Sequence, residues 1–380
     1  MSTKIRSVEA FATSFPLPQG GPRLGIGRAV KRDAVMVKVT TTDGIIGWGE
    51  SHHGRAHTAI AALVNTTLAG LIAGHDAHDT VGINARIYRY QLASHGMGAA
   101  CAMAMSGIDM ALWDIKGKAL GVPLYRLLGG GARGIPAYAG GVALGYQPPD
   151  ELVEEARPHV ETGYRALKLR VGDTVKNDIA RMEAVRRAFG EAMVLPTDAN
   201  TGYDIIAARA VMPAMDALNI HWLEEPFPAH DRRLYREAKA FGRTPLAAGE
   251  NHFTRFEFAP VIEDGSITIL QPDLSKCGGI TEALRIAAMA SAHKLPIHPH
   301  SSMTGVNQAA SIHFLCAIDN AGFFEADISK ANRFRDEMGS SPWSIEADGT
   351  VLPLEAPGIG VEIDEGFLAA HPAISGPGYV

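Results

Sequence analysis

From Ile135 onward the chain repeats one texture eight times, a short apolar run followed by a stretch of helix length. The runs are IPAYAGG, ALKLR, AMVLPTDA, HWLEEP, PLAAGE, SITILQPD, LPIHPHS and GFFEA. Between them lie segments such as ELVEEARPHVETG, KNDIARMEAVRRAF and ITEALRIAAMASAHK, whose apolar residues recur at helical spacing. Strands that alternate with helices over about 200 residues build a parallel sheet, and closing that sheet makes a barrel of the (β/α)8 type. The last helix is expected to be missing or reduced, because the pattern decays after Arg335.

The residues before the barrel read differently. Segments 4–14, 34–41 and 44–50 are rich in β-branched and apolar residues, with Asp43-Gly44 as a hairpin turn between the last two. From about residue 57 to 128 the pattern is helical and ends in LLGGGARG. The expected organisation is an α+β domain over 1–130, a barrel over 131–335, and a segment over 336–380 that returns to the first domain. The glycine run lacks the Lys-Ser/Thr of a phosphate loop and reads as a linker.

Lys168, Asp198, Glu224, Glu250, Asp273, His300 and Glu325 each fall at or just past the C-terminal end of a different apolar run. In a parallel barrel those ends meet at one mouth, the face where such barrels hold their chemistry. Taken singly, each acid could cap the following helix or pair with an arginine. Asp198, Glu224 and Glu250 on three neighbouring strands would repel one another without a cation, so together they imply a metal. Hard oxygen donors with no thiol pattern favour Mg2+, with Mn2+ as a substitute. Asp273 and His300 fall on adjacent strands, where a carboxylate orients an imidazole and raises its basicity. Patterning alone does not choose between His300 and His298, and the two could also be read as a weak zinc pair. Lys168 and Arg170 leave their strand on one face, which at the rim is the interior, a costly place for cations unless anions meet them.

Composition narrows the partners. A net charge of -6 argues against nucleic acid, which is bound through clustered Lys and Arg. Three widely spaced cysteines, Cys101, Cys277 and Cys316, give neither a disulfide framework nor a CxxC zinc site. The N-terminal MSTKIRSVEAFATSF has no signal-peptide core, and no later apolar run reaches membrane-spanning length, so a cytoplasmic protein without membrane partners is expected.

The ordered set KLR at 168–170, TDAN at 197–200, WLEEP at 222–226, GEN at 249–251, QPDLSKCGG at 271–279, PHS at 299–301 and FFEAD at 323–327 resembles the mandelate racemase subgroup of the enolase superfamily. DGIIGWGE at 43–50 and SGIDMALWDIKGKALGVPLYRLLGG at 106–130 are similar to that subgroup too. The resemblance implies a modified (β/α)7β barrel under an N-terminal α+β capping domain completed by the C-terminal tail. It further implies Asp198, Glu224 and Glu250 as Mg2+ ligands, Lys168 facing an Asp273–His300 dyad, Glu325 beside the substrate carboxylate, and Asn200 among the substrate-binding residues. Symmetric homo-oligomers are common in the subgroup.

One departure carries weight. The pattern usually has a second lysine, a base, where this chain has Arg170. Arginine stays protonated at physiological pH and makes an anion clamp rather than a proton acceptor. Racemisation needs two proton carriers on opposite faces, whereas elimination runs with one. The expected reaction is therefore Mg2+-dependent removal of an α-proton by His300 and loss of a β-hydroxyl from a small anionic sugar acid, aldonic or aldaric. In the subgroup the capping loops select the substrate. Here those loops carry His52, His53 and Arg55, with Arg23 and Arg28 nearer the N-terminus, which suits a hydroxyl-rich acid. The alternatives are an epimerase or cycloisomerase using the same chemistry, a Schiff-base aldolase with Lys168 as nucleophile, and a sugar-acid-binding protein without turnover.

Overall fold

The computed structural model describes residues 3–17, 20–330 and 332–380. The chain opens with a long strand, β1 (Ile5–Pro16), then a small hairpin of β2 (Arg23–Leu24) and β3 (Gly27–Arg28), then β4 (Lys31–Thr41) and β5 (Ile46–Ser51). β1, β4 and β5 form an antiparallel sheet in that order. Its last turn is the expected Asp43-Gly44, where Gly44 takes φ +90, a conformation open chiefly to glycine. The helix Ala99–Leu120 lies across β5. A Cβ on Gly49 would stand 2.0 Å from the Gly107 carbonyl oxygen, so strand and helix meet backbone to backbone because neither residue has a side chain there. The sheet and helices enclose a core of their own, with Val37, Leu68, Ile83 and Ile108 buried together.

Seven of the eight apolar runs become parallel strands, and the remaining one, LPIHPHS, takes its place in the closed ring through the bridging residue Ile297. Five form a continuous sheet: β7 (Leu169–Arg170), β8 (Pro196–Asp198), β9 (Trp222–Glu224), β10 (Leu246–Ala248) and β11 (Ile269–Leu270). β6 (Ile135–Gly140) joins this sheet through the parallel bridge Ala139↔Leu167. On the other side Leu270 bridges Ile297 and Ile297 bridges Ala321, both parallel. β12 (Phe324–Asp327) then pairs with β6 in parallel and shuts the ring. Seven helices, from Pro149–Thr162 to Gly305–Leu315, follow the first seven runs. Where an eighth barrel helix would follow β12, the described residues have the single turn Arg333–Asp336, so the barrel is (β/α)7β as expected. Inside the ring, Tyr138, Ala166, Trp222, Ala247 and Ile269 pack into a plug below the mouth.

β13 (Thr350–Val351) pairs antiparallel with the start of β6. The chain then returns to the cap, where Pro372 bridges Thr13 and Tyr379 bridges Ala29. Cap and barrel are also tied directly. Asp109 accepts from the Thr281 amide at 2.9 Å, and Trp113 Nε1 donates to Thr281 Oγ1 at 2.9 Å. Arg32 reaches Asp327 at 3.1 Å, and the Thr304 amide donates to Glu50 at 3.2 Å. In the glycine run, Arg133 bonds the carbonyls of Leu315 and Ile318 at 2.7 Å each, a structural tie at the barrel's edge. All three cysteines are buried and free. Among the described residues no helix is long and apolar enough to cross a membrane.

Candidate active site at the mouth of the barrel

Strand register sets the level of each polar side chain. Arg170 is paired with Asp198, and Asp198 with Glu224, so the three stand side by side at the same height of the ring. Glu250 follows β10 by two residues, Asp273 follows β11 by three, and Glu325 lies within β12 beside Tyr138.

Lys168 is the hub of the floor. Its buried ammonium lies 2.8 Å from Glu325, 3.2 Å from Glu224 and 3.5 Å from Asp198. Burial disfavours that charge, but the three carboxylates outweigh it and hold Lys168 well above the ordinary lysine value. A Schiff-base nucleophile must be neutral, so the aldolase reading finds no support in this ammonium. Arg170 donates to Asp198 and to the Gly141 carbonyl, and reaches Asn200 Oδ1 at 3.2 Å. Burial opposes its charge too, yet Asp198, Glu325 and Glu224 raise its pKa further. It is a permanent cation at this site.

Opposite stands the dyad. His300 Nδ1 meets Asp273 Oδ2 at 2.6 Å. Asp273 is itself held by the Ser275 amide at 2.7 Å, the Ser275 hydroxyl at 2.6 Å and Asn307 Nδ2 at 3.1 Å. The carboxylate therefore fixes both the ring's orientation and its tautomer. His300 Nε2 faces the cavity, 2.7 Å from Glu250 and 4.0 Å from Glu325. Desolvation would lower the pKa of His300, but Glu250, Glu325 and Asp273 together raise it well above the ordinary value. His298 belongs to a different layer: its ring packs on Trp222 and Phe323 in the barrel plug, Nδ1 accepts from the Phe323 amide at 2.9 Å, and burial pushes its pKa down to about 3. Two residues along a strand is one layer down the barrel, so only His300 lines the mouth.

Among the described residues no three His, Cys, Asp or Glu side chains are drawn together as a ready coordination group. The acid set still fits a hard divalent cation. Its donors are all oxygens, and it is short of positive charge. Glu224 is pushed up to about 7, first by burial and then by Asp198, despite Lys168 beside it. Neighbouring Glu225, buried with one oxygen unpartnered, is raised well above its ordinary value by burial and by Glu250. Glu325 is different. Burial raises it, but Lys168, His300 and Arg170 prevail and bring it down to about 2, so it is ionised.

Above this floor is a cavity of about 360 Å3, at the small end for ligand pockets. Arg170, Asn200, Glu250 and His300 line it from the barrel, and His52, His53 and Arg55 line it from the cap. Both cap histidines are held low, chiefly by burial, His53 at about 3. They face the cavity as neutral donor-acceptors rather than cations. Arg23 does not line the cavity. It is exposed, on the far side of the hairpin from Leu24 and Ile26, which do. Arg28 bonds the Gly21 carbonyl at 3.1 Å and is likewise outside the wall. Sequence reasoning passed over Lys276, whose buried ammonium lines the cavity 3.6 Å from Glu250, although its place three residues past Asp273 on the same strand end was a usable signal. It also passed over Glu225 and Tyr379.

The mandelate racemase / muconate lactonizing enzyme N-terminal domain model matches residues 9–129, and the enolase C-terminal domain-like model matches 151–367. The chain belongs to this family. Membership implies the magnesium-dependent catalysis typical of the enolase superfamily. A member of the superfamily from Polaromonas sp. JS666 has a structure with a TM-score of 0.97 to this one, at 52% identity, covering 99% of this chain and 100% of that one. The family chain is 34% identical over 346 residues to D-galactonate dehydratase of Pectobacterium atrosepticum, covering 87% of this chain and 89% of the relative. It is also 34% identical over 352 residues to D-galactarolactone cycloisomerase of Agrobacterium fabrum, covering 89% and 91%.

Proposed function

We propose that this enzyme is a Mg2+-dependent sugar-acid dehydratase that converts an aldonic or aldaric acid to a 2-keto-3-deoxy acid. The observation that carries the reading is the asymmetry of the floor: one histidine held by Asp273 on one side, and a permanently charged arginine where a second base would be needed for racemisation. Asp198, Glu224 and Glu250 would hold the ion, which supplies charge neutralisation for a substrate carboxylate as its α-proton leaves.

Lys168 is the fixed cation beside the developing enediolate, and it is preorganised by three carboxylates before substrate arrives. Glu325, ionised at rest, can only accept; it holds the far carboxylate oxygen once it has taken up a proton, which the approach of a second anion favours, and it then donates that proton in a hydrogen bond. His300 must be neutral to act as a base. Its charge at rest is held by Glu250 and Glu325, so engaging those two carboxylates elsewhere releases the Nε2 lone pair toward the substrate. Nε2 then takes the α-proton. The electron pair of that C–H bond is held first as the enediolate; it then forms the double bond between the α- and β-carbons as the β-C–O bond breaks, and the proton on Nε2 passes to the departing hydroxyl to make water. The remaining enol becomes the keto acid.

A second reading rests on a specific observation, the equal similarity to a relative named as a lactone cycloisomerase. There the leaving oxygen would belong to a ring ester, and it would depart as a carboxylate without needing a proton. Turnover of a sugar-acid and sugar-lactone panel with Mg2+ in D2O, followed by mass spectrometry, separates the two. Loss of one water to a keto acid, abolished by EDTA, is expected. An isomer of unchanged composition from a lactone establishes the second reading, and activity that survives EDTA overturns the metal assignment.

A further inference from the structure

The cavity's roof contains a residue from the far end of the chain. Val380 accepts from the Arg28 amide at 2.7 Å and donates to the Arg28 carbonyl at 3.0 Å, and the Val30 amide donates to the Gly378 carbonyl at 2.9 Å. Residues 378–380 thus run antiparallel beside the β2–β3 hairpin as its third strand, with the bridge Ala29↔Tyr379 between. Gly27 has φ +101, and a Cβ there would stand 2.9 Å from the Val380 carbonyl oxygen, so the close approach depends on this glycine. On the hairpin's other side, a Cβ on Gly25 would stand 2.7 Å from the Ala199 carbonyl, next to Asp198. The hairpin is therefore clamped between the rim of the barrel and the tail.

The pairing aims one side chain. Tyr379 lines the cavity, and the Arg55 guanidinium sits 5.1 Å from its ring centroid, within cation–π range. Arg55 holds a left-handed backbone, φ +57, with its amide on His53 Nδ1 at 2.9 Å. A residue kept in that sparsely populated region is over-determined by its surroundings. The tail thereby joins the two cap loops, hairpin on one side and the 52–55 turn on the other, and closes the roof of the cavity that Arg170 and His300 line from below.

We propose that residues 378–380 are the third strand of the substrate lid and that Tyr379 is a specificity-determining residue, reading the end of the sugar acid remote from the reacting carboxylate. The inference rests on the sugar-acid reading above. With the carboxylate and α-carbon at the floor, a three-carbon acid ends short of the roof, and a six-carbon acid brings its last hydroxyl or second carboxylate to Tyr379 and Arg55.

The test compares the wild-type chain with Tyr379→Ala, Gly27→Ala and a chain ending at Pro377. It measures kcat and KM for acids of three to six carbons with Mg2+, and amide hydrogen exchange at residues 24–30. The six- to three-carbon ratio of kcat/KM is expected to fall about tenfold in Tyr379→Ala through KM, and at least as far in the other two. The Arg28 and Val30 amides are expected to exchange at least tenfold faster in the truncated chain. An unchanged chain-length profile in Tyr379→Ala would overturn the specificity role. Unchanged exchange on truncation would overturn the third strand. If the wild-type chain turned over no sugar acid, the dehydratase reading would fall and Tyr379's role with it, while the exchange result would still decide the strand pairing.

Discussion

The floor and the roof of the cavity are built on opposite principles. On the floor every group proposed to react stands on a strand end or just past it, is buried apart from the partly exposed Glu250, and has at least two polar partners: Lys168 touches three carboxylates, Asp273 accepts from three donors, and Glu224 takes bonds from Gln271 at 2.6 Å and Trp222 at 3.3 Å. The roof is made of a turn, where His52 and His53 spend a ring nitrogen on their own backbone at 3.0 and 2.9 Å, and of a short hairpin from which apolar Leu24 and Ile26 face inward. The floor is preorganised for one transition state, which is what lowers a barrier. The roof can be altered residue by residue without disturbing that arrangement, which is what substrate choice requires.

If this division is right, substitutions on the two surfaces change different kinetic constants. The largest effect is expected for His300→Ala, a fall in kcat of about a thousandfold or more, within the range for removal of a general base, with circular dichroism unchanged. A retained rate would remove the dyad from the mechanism. Asp273→Asn is expected to cost about a hundredfold in kcat with little change in KM, because the ring loses its tautomer and anchor; a pure KM effect would place Asp273 in binding instead. Arg170→Lys puts a titratable amine on the face opposite His300. It is expected to produce α-deuteration of recovered substrate in D2O that the wild type lacks, detected by proton NMR. Failure to exchange would show that the arginine is not what biases the site toward elimination.

On the roof, Leu24→Asn is expected to change KM by about threefold with kcat unmoved, since one apolar contact is exchanged for a polar one in a partly wet loop. A kcat effect as large as the KM effect would blur the division. The smallest expected effect concerns stability at the join between the two. Glu50 is fully buried, with one oxygen unpartnered, and burial pushes its pKa up to about 8, against about 4.3 unfolded. An acid raised on folding binds its proton more tightly in the native state. Its stabilising contribution is complete below the unfolded pKa and is lost as pH rises from about 4.3 through about 8. Glu50→Gln is expected to flatten the fall in urea midpoint between pH 5 and 8; an identical slope would mean the carboxyl does not titrate in that window.

The floor was legible in the sequence because a barrel ties sequence period to position. Seven ionisable residues one βα unit apart must arrive at one mouth, and register then sets Arg170, Asp198 and Glu224 level. Ambiguity remained only along a strand, where His298 and His300 differ by one layer and nothing in HPH tells mouth from plug. The roof has no such period. Arg23 was expected at the substrate from its charge, but two-residue alternation in the hairpin turns it outward and brings Leu24 in. Tyr379 could not be found by local reading, because its place depends on a pairing with Ala29 across nearly the whole chain.

Because each polar side chain of the floor comes from a separate strand–helix unit, no fragment of the ring contains a partial active site worth the name. Catalysis is in this sense an all-or-none property of ring closure. Loss of turnover on heating or in denaturant should coincide with the cooperative loss of the barrel itself, so that a simple rate assay doubles as a gauge of the folded population.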